Sequence, residues 1–228
     1  MSETGPSLRS RRLWAKREQK CMAILERALL LLRNEAKLPE TEVDLNRRFY
    51  FCLLSATREL YPNEDVAPLP ECNNQPDPDD KARAVREQKR PDFQWAFLDR
   101  YESDAHRSSK QFVVECKRIG ISSRADWVFN ANYVNHGIGR FQDPQWAYAK
   151  RFPSGAMVGY WQSMEARQVL KEINEECRKR LLPDLSLIGT CNVGDIYRLE
   201  HRIERTFAVS PFGLRHRWID LRSTPRAN

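Results

Sequence analysis

The sequence predicts an α/β fold of the α+β kind: a central mixed β-sheet flanked by helices, with helices at the N-terminal end and a β-hairpin at the C-terminal end. Three observations lead there. Before residue 61 the apolar residues recur at three-to-four spacing; from 93 they come in short runs, the first alternating Phe93, Trp95 and Phe97; and a long amphipathic segment, 163–182, separates two of the later runs. Helical periodicity first, then strand-like runs interrupted by a helix, is the order a sheet covered by helices requires.

Taken in chain order, residues 1–12 are polar and basic and read as a flexible arm. Residues 13–228 read as a single domain. Leu13 to about Lys37 predicts a helix whose stripe is Met22, Leu25, Leu29 and Leu32, ended by Pro39. A second helix starts at Glu42, with Thr41 as N-cap and Asp44 three residues on in the capping-box position; its stripe is Leu45, Phe49, Leu53, Ala56 and Leu60. Five prolines and an Asp-Pro-Asp-Asp run make 61–90 a long loop, with a short charged helix in 81–89. Strands follow at 93–98 and 111–119. The aromatic and basic stretch 123–152 predicts a helix or two with loops. Beyond it come a buried strand at 156–161, the helix 163–182 stopped by Pro183, and strands at 185–190, 202–209 and 214–221. The last two pair around Ser210-Pro211-Phe212-Gly213.

Composition narrows the function. Of 228 residues 41% are hydrophobic, enough for a core, and no run approaches the roughly 18 apolar residues a spanning helix needs. The basic N-terminus leads into an amphipathic helix rather than an apolar signal core, which predicts a cytoplasmic protein. Six dispersed cysteines, without C-x-x-C or Cys/His spacing, predict buried thiols rather than zinc or disulfides. The four histidines likewise lack ligand spacing and read as satisfied surface or loop residues, and His136-Gly137-Ile138-Gly139 reads as a flexible turn. A net charge of +7 favours polyanionic partners, since each lysine or arginine near a phosphate releases counterions. The basic run at the N-terminus is read as a solvated face, and the aromatics of 127–148 as core.

One constellation carries chemistry. Asp92 follows Arg90-Pro91 and opens one strand; Glu115-Cys116-Lys117 lies 23 positions later within the next. On a strand, residues two apart share a face, so Glu115 and Lys117 project together while Phe112, Val114 and Cys116 turn the other way. Two carboxylates beside one lysine suit a hard divalent cation and a water aimed at a phosphodiester.

Pro91-Asp92 followed by Glu115-x-Lys117 resembles the PD-(D/E)XK nuclease superfamily, over about residues 41–161. The resemblance implies a restriction-endonuclease-like core and a helix glutamate, Glu42, upstream. It implies Mg²⁺, with Mn²⁺ as a substitute, held by Asp92, Glu115, the Cys116 carbonyl and Glu42. Lys117 would position or help deprotonate the attacking water and offset developing charge. Gln145 and Tyr148 are similar to a Gln/Tyr signature on the helix after the E-x-K strand, at a spacing one residue shorter. Arg124, Arg140, Gln145 and Lys150 are the candidate contacts to nucleic acid. The C-terminal segment resembles nuclease-fold proteins of bacterial anti-phage defence. The expected function is a Mg²⁺-dependent endonuclease on DNA, with RNA also open, acting as a homodimer or within a multiprotein complex and away from membranes. Two other readings stay open: a catalytically silent nuclease-fold subunit that binds nucleic acid or a partner protein, and an ordinary ion-pair network. Glu42 also has a purely local role available, as a carboxylate complementing a helix N-terminus.

Overall fold

A computed structural model describes residues 8–74, 76, 80–121, 128–191 and 195–222. The N-terminal stripes become α1 (Leu8–Arg33) and α2 (Glu42–Leu60), packed side by side. Cys21, Ile24, Leu25, Ala28, Leu29 and Leu32 of α1 are fully buried, as their spacing requires. Thr41 caps α2: its hydroxyl accepts from the Asp44 N–H at 3.2 Å and donates to the Asp44 carboxylate at 2.7 Å. The Asp44 side chain thus returns to the cap hydroxyl rather than to the cap amide.

Among the described residues, β1 (Leu69–Pro70), β2 (Phe93–Leu98), β3 (Ser109–Ile119), β4 (Ser154–Trp161), β5 (Ser186–Cys191), β6 (Ile196–Ile203) and β7 (Phe212–Asp220) form one mixed sheet in the order β1-β2-β3-β4-β7-β6-β5. β3, β4 and β7 run parallel; β2 pairs antiparallel with β3, and β5–β6–β7 is an antiparallel meander. The pleat sorts the side chains into two layers. Phe112, Val114, Cys116, Ala156, Val158 and Tyr160 pack under α1 and α2. Val113, Ile119, Met157, Trp161 and Trp218 face the opposite helices. Those are α5 (Phe129–Tyr133), a π-helical turn (Val134–Ile138) and α6 (Gly139–Gln142), which follow without a break, and α7 (Ala166–Lys179). Short helices α3 (Arg83–Arg86) and α4 (Ala105–Ser108) decorate the connections.

Several expectations change. Residues 8–12 are the first turns of α1, not an arm. Exposed Arg9, Arg11 and Arg12 form its polar face, while Ser10 bonds the Asp99 carboxylate and Arg17 the Leu98 carbonyl. Residues 1–7 lie outside the described set. The loop 61–90 contributes the edge strand β1, where Pro70 needs no ladder donor. Leu60 is 39% exposed and leaves the α2 stripe early. The hairpin partner of β7 spans 196–203, not 202–209. Its charged residues face α1, where Arg198 bonds Glu26 at 2.8 Å and Glu200 pairs with Arg215. The segment 204–211 is instead a turn organised by buried Arg205, which donates to the carbonyls of Tyr148 at 3.0 Å, Phe152 at 3.0 Å and Val209 at 2.8 Å. The Gly137 region is helical and buried rather than a flexible turn. A Cβ at Gly137 would meet Met157 Cε at 2.4 Å and Lys117 Cγ at 3.4 Å, so the glycine lets helix and sheet approach.

Candidate active site

The β2–β3 register brings the two motifs together. Phe93 pairs with Val114, so Asp92 lies one position beyond, beside Glu115 and Cys116. There Asp92 Oδ2 accepts the Cys116 N–H at 2.7 Å and Oδ1 accepts Asn46 Nδ2 at 3.0 Å. Asn46 Oδ1 accepts the Tyr160 hydroxyl at 2.9 Å. A chain from β4 through α2 thereby fixes the rotamer of Asp92. Asn46 is a positioning residue to which the sequence reading assigned no role, although it stands four residues after Glu42 on the same helix face.

Glu42 does join the set. Lys117 Nζ donates to Glu42 Oε1 at 2.7 Å and to the Cys116 carbonyl at 2.8 Å; it lies 3.7 Å from Glu115 Oε2 and 3.9 Å from Asp92 Oδ2. Glu42 Oε2 also accepts the Arg118 N–H at 3.3 Å. Three carboxylates and one main-chain carbonyl therefore surround a single ammonium. On the far side, Arg140 of α6 donates to Glu115 Oε2 at 2.7 Å. Its guanidinium also stacks on the Trp146 ring at 4.3 Å, and Lys89 approaches that ring at 4.3 Å. Of the aromatics in 127–148, Phe129, Tyr133, Phe141 and Tyr148 are buried core as expected, Trp146 is half-buried, and Trp127 lies outside the described residues.

Burial sets the electrostatics. Glu115 has no accessible side-chain surface, and its Oε1 has no hydrogen-bond partner. Its carboxyl is pushed up to about 8, first by burial and then by the charge of Asp92, against the pull of Lys117 and Arg140. Asp92 is raised for the same first reason, with Lys117 opposing, and keeps 16% of its side chain accessible. Burial works against the charge of Lys117, but Asp92, Glu115 and Glu42 outweigh it and hold the ammonium above its usual range. In this arrangement Lys117 is a cation that donates hydrogen bonds, which suits positioning and charge stabilisation rather than proton abstraction. Tyr148 is raised by burial and then by Glu115, so its hydroxyl stays neutral beside the site.

The other candidates are not brought in. Gln145 is exposed, and its N–H bonds Asp143 Oδ1 at 2.8 Å. Lys150 lines a separate hollow with Asp80, Arg86 and Gln111. Arg124 lies outside the described residues.

Among the described residues, no three histidine, cysteine, aspartate or glutamate side chains are gathered tightly enough to hold an ion by themselves. The donor chemistry nonetheless suits Mg²⁺, which takes one or two carboxylates and completes its shell with waters and phosphate oxygens. Asp92, Glu115 and the Cys116 carbonyl could supply that share, and Glu115 Oε1 is a buried oxygen with no hydrogen-bond partner. Compared with family models and with curated proteins, the chain matches none of them. The likeness to PD-(D/E)XK enzymes rests on the residues above.

Proposed function

We propose that this chain is a metal-dependent phosphodiesterase of the PD-(D/E)XK type, its site built on β2, β3 and the first turn of α2. Within that class the reading is a Mg²⁺-dependent endonuclease acting on DNA. The supporting observation is the convergence of Asp92, Glu115, Glu42 and the Cys116 carbonyl on Lys117 Nζ within 3.9 Å, with one Glu115 oxygen orphaned. Two acidic side chains are set against each other, and Glu115, raised by burial and then by the charge of Asp92, keeps one oxygen without a partner. Such an arrangement is more usual at functional sites than in ion pairs that only hold a fold.

Asp92, Glu115 and the Cys116 carbonyl would hold the metal, with Glu42 reaching it through water. The metal would supply a water acidic enough to attack near neutral pH and a clamp on phosphoryl oxygens. Lys117 would orient the attacking water and offset charge on the phosphoryl group as it develops. Arg140, held by Glu115 and Trp146, faces the same space and can take a phosphate oxygen. One such site cuts one strand, so a double-strand break would take two copies or a larger complex.

The second reading, a catalytically silent subunit, draws on the same ion pairs, since Arg140 and Lys117 already answer Glu115 and Glu42. Two measurements on one preparation separate them. The first is nicking of negatively supercoiled plasmid, whose underwound duplex opens unpaired stretches, in Mg²⁺ or Mn²⁺ with EDTA and Lys117→Ala controls; the second is Mn²⁺ binding followed by its spin-resonance signal. Metal-dependent nicking lost in Lys117→Ala is expected, together with Mn²⁺ binding lost in Asp92→Ala. Nicking that survives both substitutions, or wild-type protein that binds no Mn²⁺, would overturn the assignment.

A further inference from the structure

Beside the carboxylates the surface opens into a cleft of about 370 Å³ between α2 and the β1–β2 edge. Glu42 and Asp92 form one end, and Tyr50, Phe51 and Phe93 supply aromatic walls. Tyr50 lies parallel to Phe93, at 7° and 6.4 Å between centroids, which fixes its ring. Phe51 is 61% exposed, and Val43 on the same helix is 59% exposed. Phe51 meets the Tyr50 ring at 5.8 Å between centroids and, with Val43, leaves apolar surface open at the cleft. Phe51 also lines a second hollow, with Leu54, Arg58, Tyr61 and Val66. It therefore stands as a ridge between two hollows, the first of which ends at the candidate metal ligands. Exposed Arg47, paired with Asp44, lines the first hollow and exposed Arg58 the second; Glu71, whose N–H bonds the Asp92 carbonyl, sits at the carboxylate end, and Glu64 and Asp65 line the second hollow.

From this we infer that the cleft is a base-stacking subsite, and that the substrate is an unpaired nucleic-acid strand. Its nucleotide next to the scissile phosphate lies in the first hollow, with its base against Phe51 and Tyr50. The inference rests on the nuclease reading and specifies its substrate. Continuity with Glu42 and Asp92 makes substrate the occupant: whatever reaches those carboxylates from this side enters the cleft. Aromatic rings alternating with arginines are the means by which proteins hold single strands, because every base offers a π-face. A paired base has both faces stacked and its edge engaged, so it must be free or extruded to meet Phe51. Glu71 beside Asp92, with Glu64 and Asp65 in the second hollow, keeps the phosphate attraction modest and leaves stacking as the main source of affinity.

The test uses a twelve-nucleotide strand carrying 2-aminopurine, alone and annealed to its complement, titrated with the full chain in EDTA. Stacking is read by quenching and binding by anisotropy. Cutting of the same strands in Mg²⁺ is followed separately. The single strand is expected to bind more tightly than the duplex and to be quenched. Phe51→Ala and Phe51→Leu are expected to weaken that binding about tenfold or more and to abolish the quench, with the thermal midpoint unchanged because Phe51 lies on the surface. Equal affinity for strand and duplex, no binding at all, or single-strand binding indifferent to both substitutions would overturn the subsite. Quenching without metal-dependent cutting would sink the nuclease reading and leave the subsite standing. Duplex cutting without quenching would do the reverse.

Discussion

Glu115 is held in a state that folding alone would avoid. It is fully buried with one orphaned oxygen, and its carboxyl is pushed up to about 8. A carboxyl raised on folding contributes stability that is fully present below its unfolded value near 4.5 and is lost as pH rises through about 8. Glu115→Gln keeps the shape without the charge. Its thermal midpoint at pH 8 should equal or exceed that of the wild type, while Mg²⁺-dependent cleavage falls at least about 100-fold. A midpoint several degrees lower, measured by calorimetry, would mean that the carboxylate serves the fold. Asn46 acts one step further out, through Asp92. Asn46→Ala should lower cleavage about 10–100-fold and weaken Mn²⁺ binding, whereas Asn46→Asp, unable to donate to Asp92, should do no better. Unchanged Mn²⁺ affinity in Asn46→Ala would remove its positioning role.

At the scale of elements, β2 and β3 could be read directly, because Phe93, Trp95 and Phe97 recur at every second position and Phe112-Val113-Val114 is an apolar run, as a strand covered on both faces requires. The two-residue period of a strand put Glu115 and Lys117 on one face; Asp92 beside them and Glu42 on the helix upstream were what the resemblance implied. Other features had no local signal. β6 carries Arg198, Glu200 and Arg202 among widely spaced Ile196, Leu199 and Ile203, and pairing with β5 and β7, with ion pairs to α1 and β7, makes a strand of them. β1 is two residues long and exists only by pairing with β2. Glycine at 137 looked like a turn because sequence cannot show that Met157 and Lys117 pass beneath it. That last contact yields a prediction for the π-helical turn, an irregularity of the kind found near functional sites. In Gly137→Ala the new methyl meets the flexible end of Met157 and crowds the Lys117 stem. Stability should fall by about 1–3 kcal/mol, and Gly137→Ala should cost less in a Met157→Ala background, where the new methyl meets no side-chain end, as a double-mutant cycle measures. An equal cost in both backgrounds would show that the close approach to Met157 does not fix glycine there.

The whole molecule joins two helical layers through one sheet, and the layer opposite the N-terminal helices hides a pair of neutral histidines. His201 of β6 and His216 of β7 lie with ring centroids 5.8 Å apart, and His216 Nδ1 shares a hydrogen bond of 2.7 Å with the Tyr133 hydroxyl. The Tyr133 hydroxyl also accepts Trp218 Nε1 at 3.0 Å, tying β7 to α5. Burial lowers His201 to about 4, partly offset by the Pro183 backbone, and depresses His216 further with help from His201 and Arg217. Groups kept neutral by folding take up protons in the unfolded chain first. The unfolded state therefore gains as pH falls below about 6.5, and stability is full above that value and declines toward the folded value. For His201 the loss should reach on the order of 2 kcal/mol by pH 5. The sign is opposite to that of Glu115, so the stability of the wild type should peak between the two titrations. Urea unfolding at pH 5, 6, 7 and 8 measures this directly. His201→Leu should flatten the acid side of the profile and leave the alkaline side, where Glu115 titrates, as it was; an acid side of unchanged slope would show that the histidines do not link the sheet to pH.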